Sequence, residues 1–161
     1  MPAKTQPGAA ALTDAERATL AAVADCIIPA SAAHAAPSAG DPSIAAAIET
    51  DAVRRIGTLK AALAALDRAA EDAGGEQRFA DLSGAARDAV AATFRARDPA
   101  AASFLESLTA QCYYRDDRVM RSLGMDPRPP HPAGYTVAQG DWSLLDPIRR
   151  RPAFFRPDGR S

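Results

Sequence analysis

The last 37 residues, Met125 to Ser161, hold seven of the chain's 13 prolines, so the folded body has to be built from what precedes them. Pro127, Pro129, Pro130, Pro132, Pro147, Pro152 and Pro157 lie there, and proline at that density predicts neither helix nor sheet. The same stretch carries four of the nine aromatics: Tyr135, Trp142, Phe154 and Phe155. A solvated linker would be poor in aromatics. Rigid, extended backbone with spaced aromatics and arginines suits a segment that lies along a surface and fills its pockets. That surface is either the chain's own body or a partner protein, and the rest of the sequence favours the partner.

The body before this tail is long enough for one modest core. Forty of the 161 residues are alanine, the best helix former, which buries little area per residue. Thr13-Asp14-Ala15-Glu16 has the pattern of a capping box, and Leu20, Val23 and Ile27 follow at helical spacing up to Pro29. Asp41-Pro42 and Asp98-Pro99 each pair an N-cap with a first-turn proline. Ile44 and Ile48, then Leu59, Leu63 and Leu66 beyond a break expected near Gly57, form an apolar stripe that Gly74-Gly75 ends. Phe79 and Leu82 lead to Ser83, an expected N-cap, with Val90 and Phe94 on the inner face of the next helix. Phe104, Leu108 and Cys112 are expected on one inner face of the fifth helix, and Asp117 to Leu123 forms a short helix closed by Gly124. No segment shows the period-2 alternation of strands. The predicted fold is all-α: a compact bundle of five to six helices over 12–124, a disordered leader over 1–11, and an extended, proline- and aromatic-rich C-terminal tail over 125–161 that binds a partner.

Residues with catalytic or metal-binding chemistry are scarce. The two histidines, His34 and His131, have no ligand-type residue at metal-site spacing. No dinucleotide fingerprint, phosphate loop or nucleophile elbow is present. The adjacent carboxylates Asp116-Asp117 open a helix, where negative charge is favourable. Glu106 is expected in solvent or paired with an arginine. Cys26 and Cys112 read as small buried apolar residues. Catalytic, cofactor and metal residues are therefore all assigned as none. Net charge is −1, and the run Arg149-Arg150-Arg151 is diluted by Asp141, Asp146 and Asp158, so no nucleic-acid partner is expected. No window approaches the ~20 apolar residues of a membrane span. The N-terminal residues show no apolar signal core and no Arg pair before a hydrophobic stretch. The expectation is a cytoplasmic chain, or a periplasmic one if it travels with a partner or lost a signal.

Two stretches, taken together, resemble a known family. One is Leu12-Thr13-Asp14-Ala15-Glu16 running into Asp25-Cys26-Ile27-Ile28-Pro29-Ala30. The other is Cys112-Tyr113-Tyr114-Arg115-Asp116-Asp117-Arg118 through Leu123-Gly124 to Pro130 and Gly134-Tyr135, with Phe79-Ala80-Asp81-Leu82 between them. In order and spacing they are similar to the gluconate 2-dehydrogenase subunit 3 family, over most of 12–136. The resemblance implies a small helical subunit without its own cofactor. Its partner would be a large FAD-dependent subunit of the glucose–methanol–choline type, in a dehydrogenase for sugars, sugar acids or glycosides. A c-type cytochrome or another electron acceptor is the further partner it implies. Many such small subunits carry a twin-arginine signal, which this sequence does not show, so stabiliser is favoured over export escort.

The expected function is thus a non-catalytic small subunit that binds and stabilises a flavin dehydrogenase. The competing reading is a free-standing helical adaptor whose tail packs on its own body. The residues expected at the partner interface are Tyr113, Tyr114, Tyr135, Trp142, Arg149, Arg150, Arg151, Phe154 and Phe155.

Overall fold

Thr13 starts the first helix as its pattern predicts. Its hydroxyl accepts the Glu16 N–H at 3.2 Å, and the Glu16 carboxylate accepts the Thr13 N–H at 2.7 Å. The computed structural model describes residues 11–74, 77–128, 134 and 139–152. Of the expected leader only Ala11 is among them, and Gly75 and His131 also lie outside. The described residues separate into two units, divided between Pro127 and Arg128.

The first unit has six helices: α1 (Asp14–Ile27), α2 (Pro42–Asp51), α3 (Ile56–Asp72), α4 (Gly84–Arg97), α5 (Pro99–Tyr113) and α6 (Asp117–Ser122). No strand occurs among the described residues, only an isolated bridge between Ser31 and Ala36. The fold is all-α, as expected. Asp41 and Asp98 cap α2 and α5, each followed by its proline. Ser83 stands at the N-cap of α4 but makes no side-chain bond there.

Helix α1 touches each of α2 to α5, and α3, α4 and α5 pack on one another. The core they enclose is lean: leucines and isoleucines from α1, α2, α3 and α5, Val90 and Phe94 from α4, the fully buried Phe79, and small alanines between them. Thr19 is buried on α1, and its hydroxyl donates to Asp67 of α3 at 3.0 Å. The same carboxylate accepts the Phe79 N–H at 3.2 Å and the Arg78 guanidinium at 2.9 Å. Asp67 thereby holds α1, α3 and the short 3-10 turn Phe79–Asp81 together. Most buried polar groups are satisfied in this way; the buried Thr109 hydroxyl on α5 is not.

Three details differ from the expectation. The break in the α2–α3 stripe falls at the 3-10 turn Val53–Arg55, and Gly57 sits inside the first turn of α3. No residue over 52–55 forbids helix. The break accompanies a change of main neighbour, from α5 for α2 to α4 for α3, with Ala52 fully buried at the corner. Phe104 is only half-buried, under the Arg55 guanidinium at 5.1 Å. The inner face of α5 is Ala102, Leu105, Leu108, Thr109 and Cys112. Cys26 is likewise half-buried, and both cysteines are free thiols.

The loop from Pro29 to Asp41 is drawn tightly onto α1. The Ala39 N–H donates to Ile28 O at 2.9 Å, and Ala39 is fully buried. A Cβ at Gly40 would lie 2.5 Å from the Ala21 carbonyl oxygen and 3.0 Å from Asp25 Cβ. The obstructing atom is backbone and has no room to yield. Gly40→Ala is therefore expected to lower stability by roughly 1–3 kcal/mol, read as a fall in melting temperature. A variant that melts with the parent would mean that the loop does not approach α1 this closely.

The second unit contains a 3-10 turn, Trp142–Leu145, running into the short helix α7 (Asp146–Arg149). The prolines had predicted extended backbone here. Pro147 stands in the first turn of α7, where its missing N–H has no partner to lose and its fixed φ suits the helix.

Candidate functional site

The segment Cys112–Arg118 closes α5 and opens α6, and nearly all of its side chains are tied to the chain's own helices. Tyr113 is 5% exposed, and its hydroxyl donates to the Pro37 carbonyl at 3.1 Å. Burial pushes this phenol above its ordinary value. The Arg115 guanidinium pairs with Asp51 at the end of α2 at 3.0 Å and donates to the Gln111 carbonyl at 3.1 Å. Beneath it lies buried Cys112, whose thiol burial pushes up. Asp116 caps α6 by accepting the Arg118 N–H at 2.8 Å, and Asp117 pairs with Arg121 at 3.1 Å.

Arg118 is the fastener. Its two terminal nitrogens reach both oxygens of Asp41 at 3.0 and 3.1 Å, and its Nε reaches Asp116 at 3.1 Å. Asp41 and Asp116 are the N-caps of α2 and α6, so one guanidinium ties two helix starts together. A fork of this kind is the geometry in which arginine outperforms lysine. The hydrogen bonds from Arg118 hold the Asp41 carboxyl well below the usual carboxylate range, and Asp116 is lowered too.

A pH dependence follows. A carboxyl depressed in the folded state stabilises fully above its unfolded value, here the ordinary 3.8, and loses that contribution as pH falls through the folded value. Arg118→Met keeps the stem and removes the fork. The melting-temperature gap between parent and variant is expected to be full at pH 6–7 and to narrow progressively as pH falls below about 4. A melt series across that range checks it, and a gap that widens on acidification would contradict it.

One side chain of the segment is left over. Tyr114 is 56% exposed and meets only the edge of the Tyr113 ring, at 5.2 Å and 83°. Leu123 and Met125 are also exposed, so the C-terminal end of the first unit carries three of the four exposed large apolar residues among its described residues, the fourth being Val53. The second unit presents Trp142, Leu144, Leu145 and Ile148 to solvent. Arg149 pairs with Asp146 at 3.3 Å, and Arg150 and Arg151 are exposed. Of the expected interface residues, Tyr135, Phe154 and Phe155 lie outside the described residues. Leu123, Met125, Leu144, Leu145 and Ile148 were not singled out by sequence reasoning. The signal for the last two was the spacing of three from Trp142, obscured by the prolines.

No group of three or more metal-ligating side chains is assembled among the described residues. Glu106 pairs with Arg95. A cleft of about 450 Å³ between α3 and α4 is lined chiefly by alanines. Its one arginine, Arg97, pairs with Asp72 at 3.2 Å. No described helix is long and apolar enough to cross a membrane.

Fold and side chains together define a small all-α protein that uses its polar residues to hold its own helices and leaves apolar ones in solvent. A family model described as gluconate 2-dehydrogenase subunit 3 matches residues 14–125, and the chain belongs to that family, a subunit of a dehydrogenase complex. The match runs from the first residue of α1 to just past Gly124, and stops short of Pro130 and Gly134-Tyr135, which the resemblance had included. Comparison with curated proteins and with solved structures gave no match.

Proposed function

We propose that this chain is the non-catalytic small subunit that binds and stabilises the large FAD-dependent subunit, of the glucose–methanol–choline type, in a dehydrogenase acting on a sugar, glycoside or sugar acid. The observation that carries the reading is the division within Tyr113–Arg118. Five of the six side chains have a partner inside the chain, and Tyr114 is left in solvent as an aromatic of the kind that anchors interfaces. Flavin chemistry belongs to the partner, which passes electrons to a c-type cytochrome or another acceptor. The small subunit acts by mass action: binding the folded large subunit and not its unfolded form raises the folded fraction. The tail contributes to that binding through Trp142, Arg149, Arg150 and Arg151, with Tyr135, Phe154 and Phe155.

The test is production of the large subunit with and without this chain. Co-production is expected to raise the soluble, flavin-loaded large subunit, and the two chains are expected to purify together. The small chain alone is expected to be colourless and inactive. A stoichiometric flavin on the small chain by itself would overturn the proposal. A chain that melts cooperatively alone and leaves the large subunit's yield unchanged would be a free-standing adaptor instead.

A further inference from the structure

We propose that Trp142, Leu145 and Ile148 form a three-anchor face on a capped helical segment, and that the large subunit takes this face into an apolar groove rimmed by carboxylates. The proposal rests on the partner reading above and specifies how the tail binds.

The segment is closed at both ends by its own hydrogen bonds. Asp141 Oδ1 accepts the Ser143 N–H at 3.0 Å and the Ser143 hydroxyl at 2.6 Å. At the far end the Arg150 N–H reaches Asp146 O at 3.2 Å and the Arg151 N–H reaches Ile148 O at 3.1 Å. Residues three apart eclipse in a 3-10 turn and remain neighbours in an α-helix. Trp142, Leu145 and Ile148 therefore share a face, and Leu144 points elsewhere. Extended backbone would instead align Trp142 with Leu144 and Ile148 and turn Leu145 away.

Trp142 and Ile148 are 57% and 60% exposed. A helical segment this short is marginal in water, and large apolar side chains left in solvent do nothing to hold it. Side chains at this spacing are the anchors of helix-in-groove recognition. The charge identifies the groove. From Arg128 onward the chain has six arginines against three aspartates, and one of those, Asp146, is already paired with Arg149. Arg150 and Arg151 have no ion pair among the described residues and stand at the end of the anchor face. A surface that seats the apolar face must offer carboxylates beside it. An anionic lipid surface shares this chemistry. A protein groove is favoured because one face of three side chains is far shorter than the stripe of an interfacial helix, and because the chain belongs to a subunit family.

Full-length variants paired with the large subunit test the mode. W142A and I148A are expected to weaken binding about tenfold or more, L145A severalfold, and L144A less than about twofold. R150E/R151E is expected to slow association and to flatten its salt dependence. The reverse order, with L144A costly and L145A silent, means extended binding and overturns the proposal. If all four alanine variants bind like the parent in a complex that still forms, the segment is outside the interface and the proposal fails while the subunit reading stands. If the parent chain forms no complex, the subunit reading itself fails. Trp142 is the only tryptophan in the chain, so its emission reports on the second surface. A blue shift with phosphatidylserine vesicles at physiological salt would assign the face to lipid and overturn the proposal. Unchanged emission supports the protein groove.

Discussion

Replacing Phe79 with alanine is expected to remove about 3–5 kcal/mol of stability, a large share of the 5–15 kcal/mol that a typical domain possesses. Phe79 is fully buried, on the 3-10 turn that lies against α1 and α3. Its backbone N–H is held by Asp67, so the turn is fixed at its start and the ring has one place to go. The surroundings are the packed helices α1 and α3, α1 closed by its capping box, which limits how far they can collapse into the space left. The cost therefore combines lost burial with a residual cavity. At roughly 4 °C per kcal/mol, the melting temperature should fall by 12 °C or more. Phe79→Leu retains most of the volume and should cost under about 1.5 kcal/mol. Thermal or urea melts decide the matter. A loss below about 1 kcal/mol for the alanine variant would show that the turn is not docked as described.

The adjacent tyrosines should separate folding from association. Tyr113→Ala removes a buried ring and the hydroxyl that holds the Pro37 carbonyl, with an expected cost of about 3 kcal/mol or more. Tyr113→Phe keeps the ring and should cost about 1 kcal/mol. Tyr114→Ala removes a ring that is mostly in solvent, and should change stability by less than about 0.5 kcal/mol. Its effect is expected in the complex, where loss of a buried interface aromatic costs on the order of 2 kcal/mol, about thirtyfold in affinity. Melts of the chain alone beside affinity measurements with the large subunit give the two readouts. Equal behaviour of the two alanine variants in both assays would contradict this separation.

Most helix starts were legible because each is written locally. Thr13 with Glu16 places two reciprocal acceptors within four residues, Asp41 with Pro42 and Asp98 with Pro99 each place an acceptor beside a fixed φ, and the structure uses all three. The apolar stripes of α1, α3 and α4 were legible because helical spacing puts them on one face. The α2–α3 corner was not. Nothing over 52–55 resists helix, and the chain turns there as the main neighbour changes from α5 for α2 to α4 for α3. Phe104 failed for a related reason. Leu105 lies one residue on, and which of the two faced inward depended on where α1 and α4 arrived.

Within Cys112–Arg118, sequence distinguished the residue types but not their partners. Asp51, Asp41 and Pro37 are far away along the chain, and only folding shows that Arg115, Arg118 and Tyr113 reach them. That network is what isolates Tyr114. In the tail, prolines dominated the reading and predicted extended backbone. Pro147 falls at a helix start, and Asp141 supplies the cap before it, so helix is permitted where density alone forbade it.

The amino-acid sequence by itself therefore determined the all-α class, the ends of most helices and the presence of a proline-rich tail with large aromatics, because capping, periodicity and φ restriction act over a few residues. Tertiary structure alone decided where α2 gives way to α3, which of two neighbouring side chains is inside, and which of many polar residues have partners. Those outcomes depend on what arrives from elsewhere in the chain, and no local pattern records it.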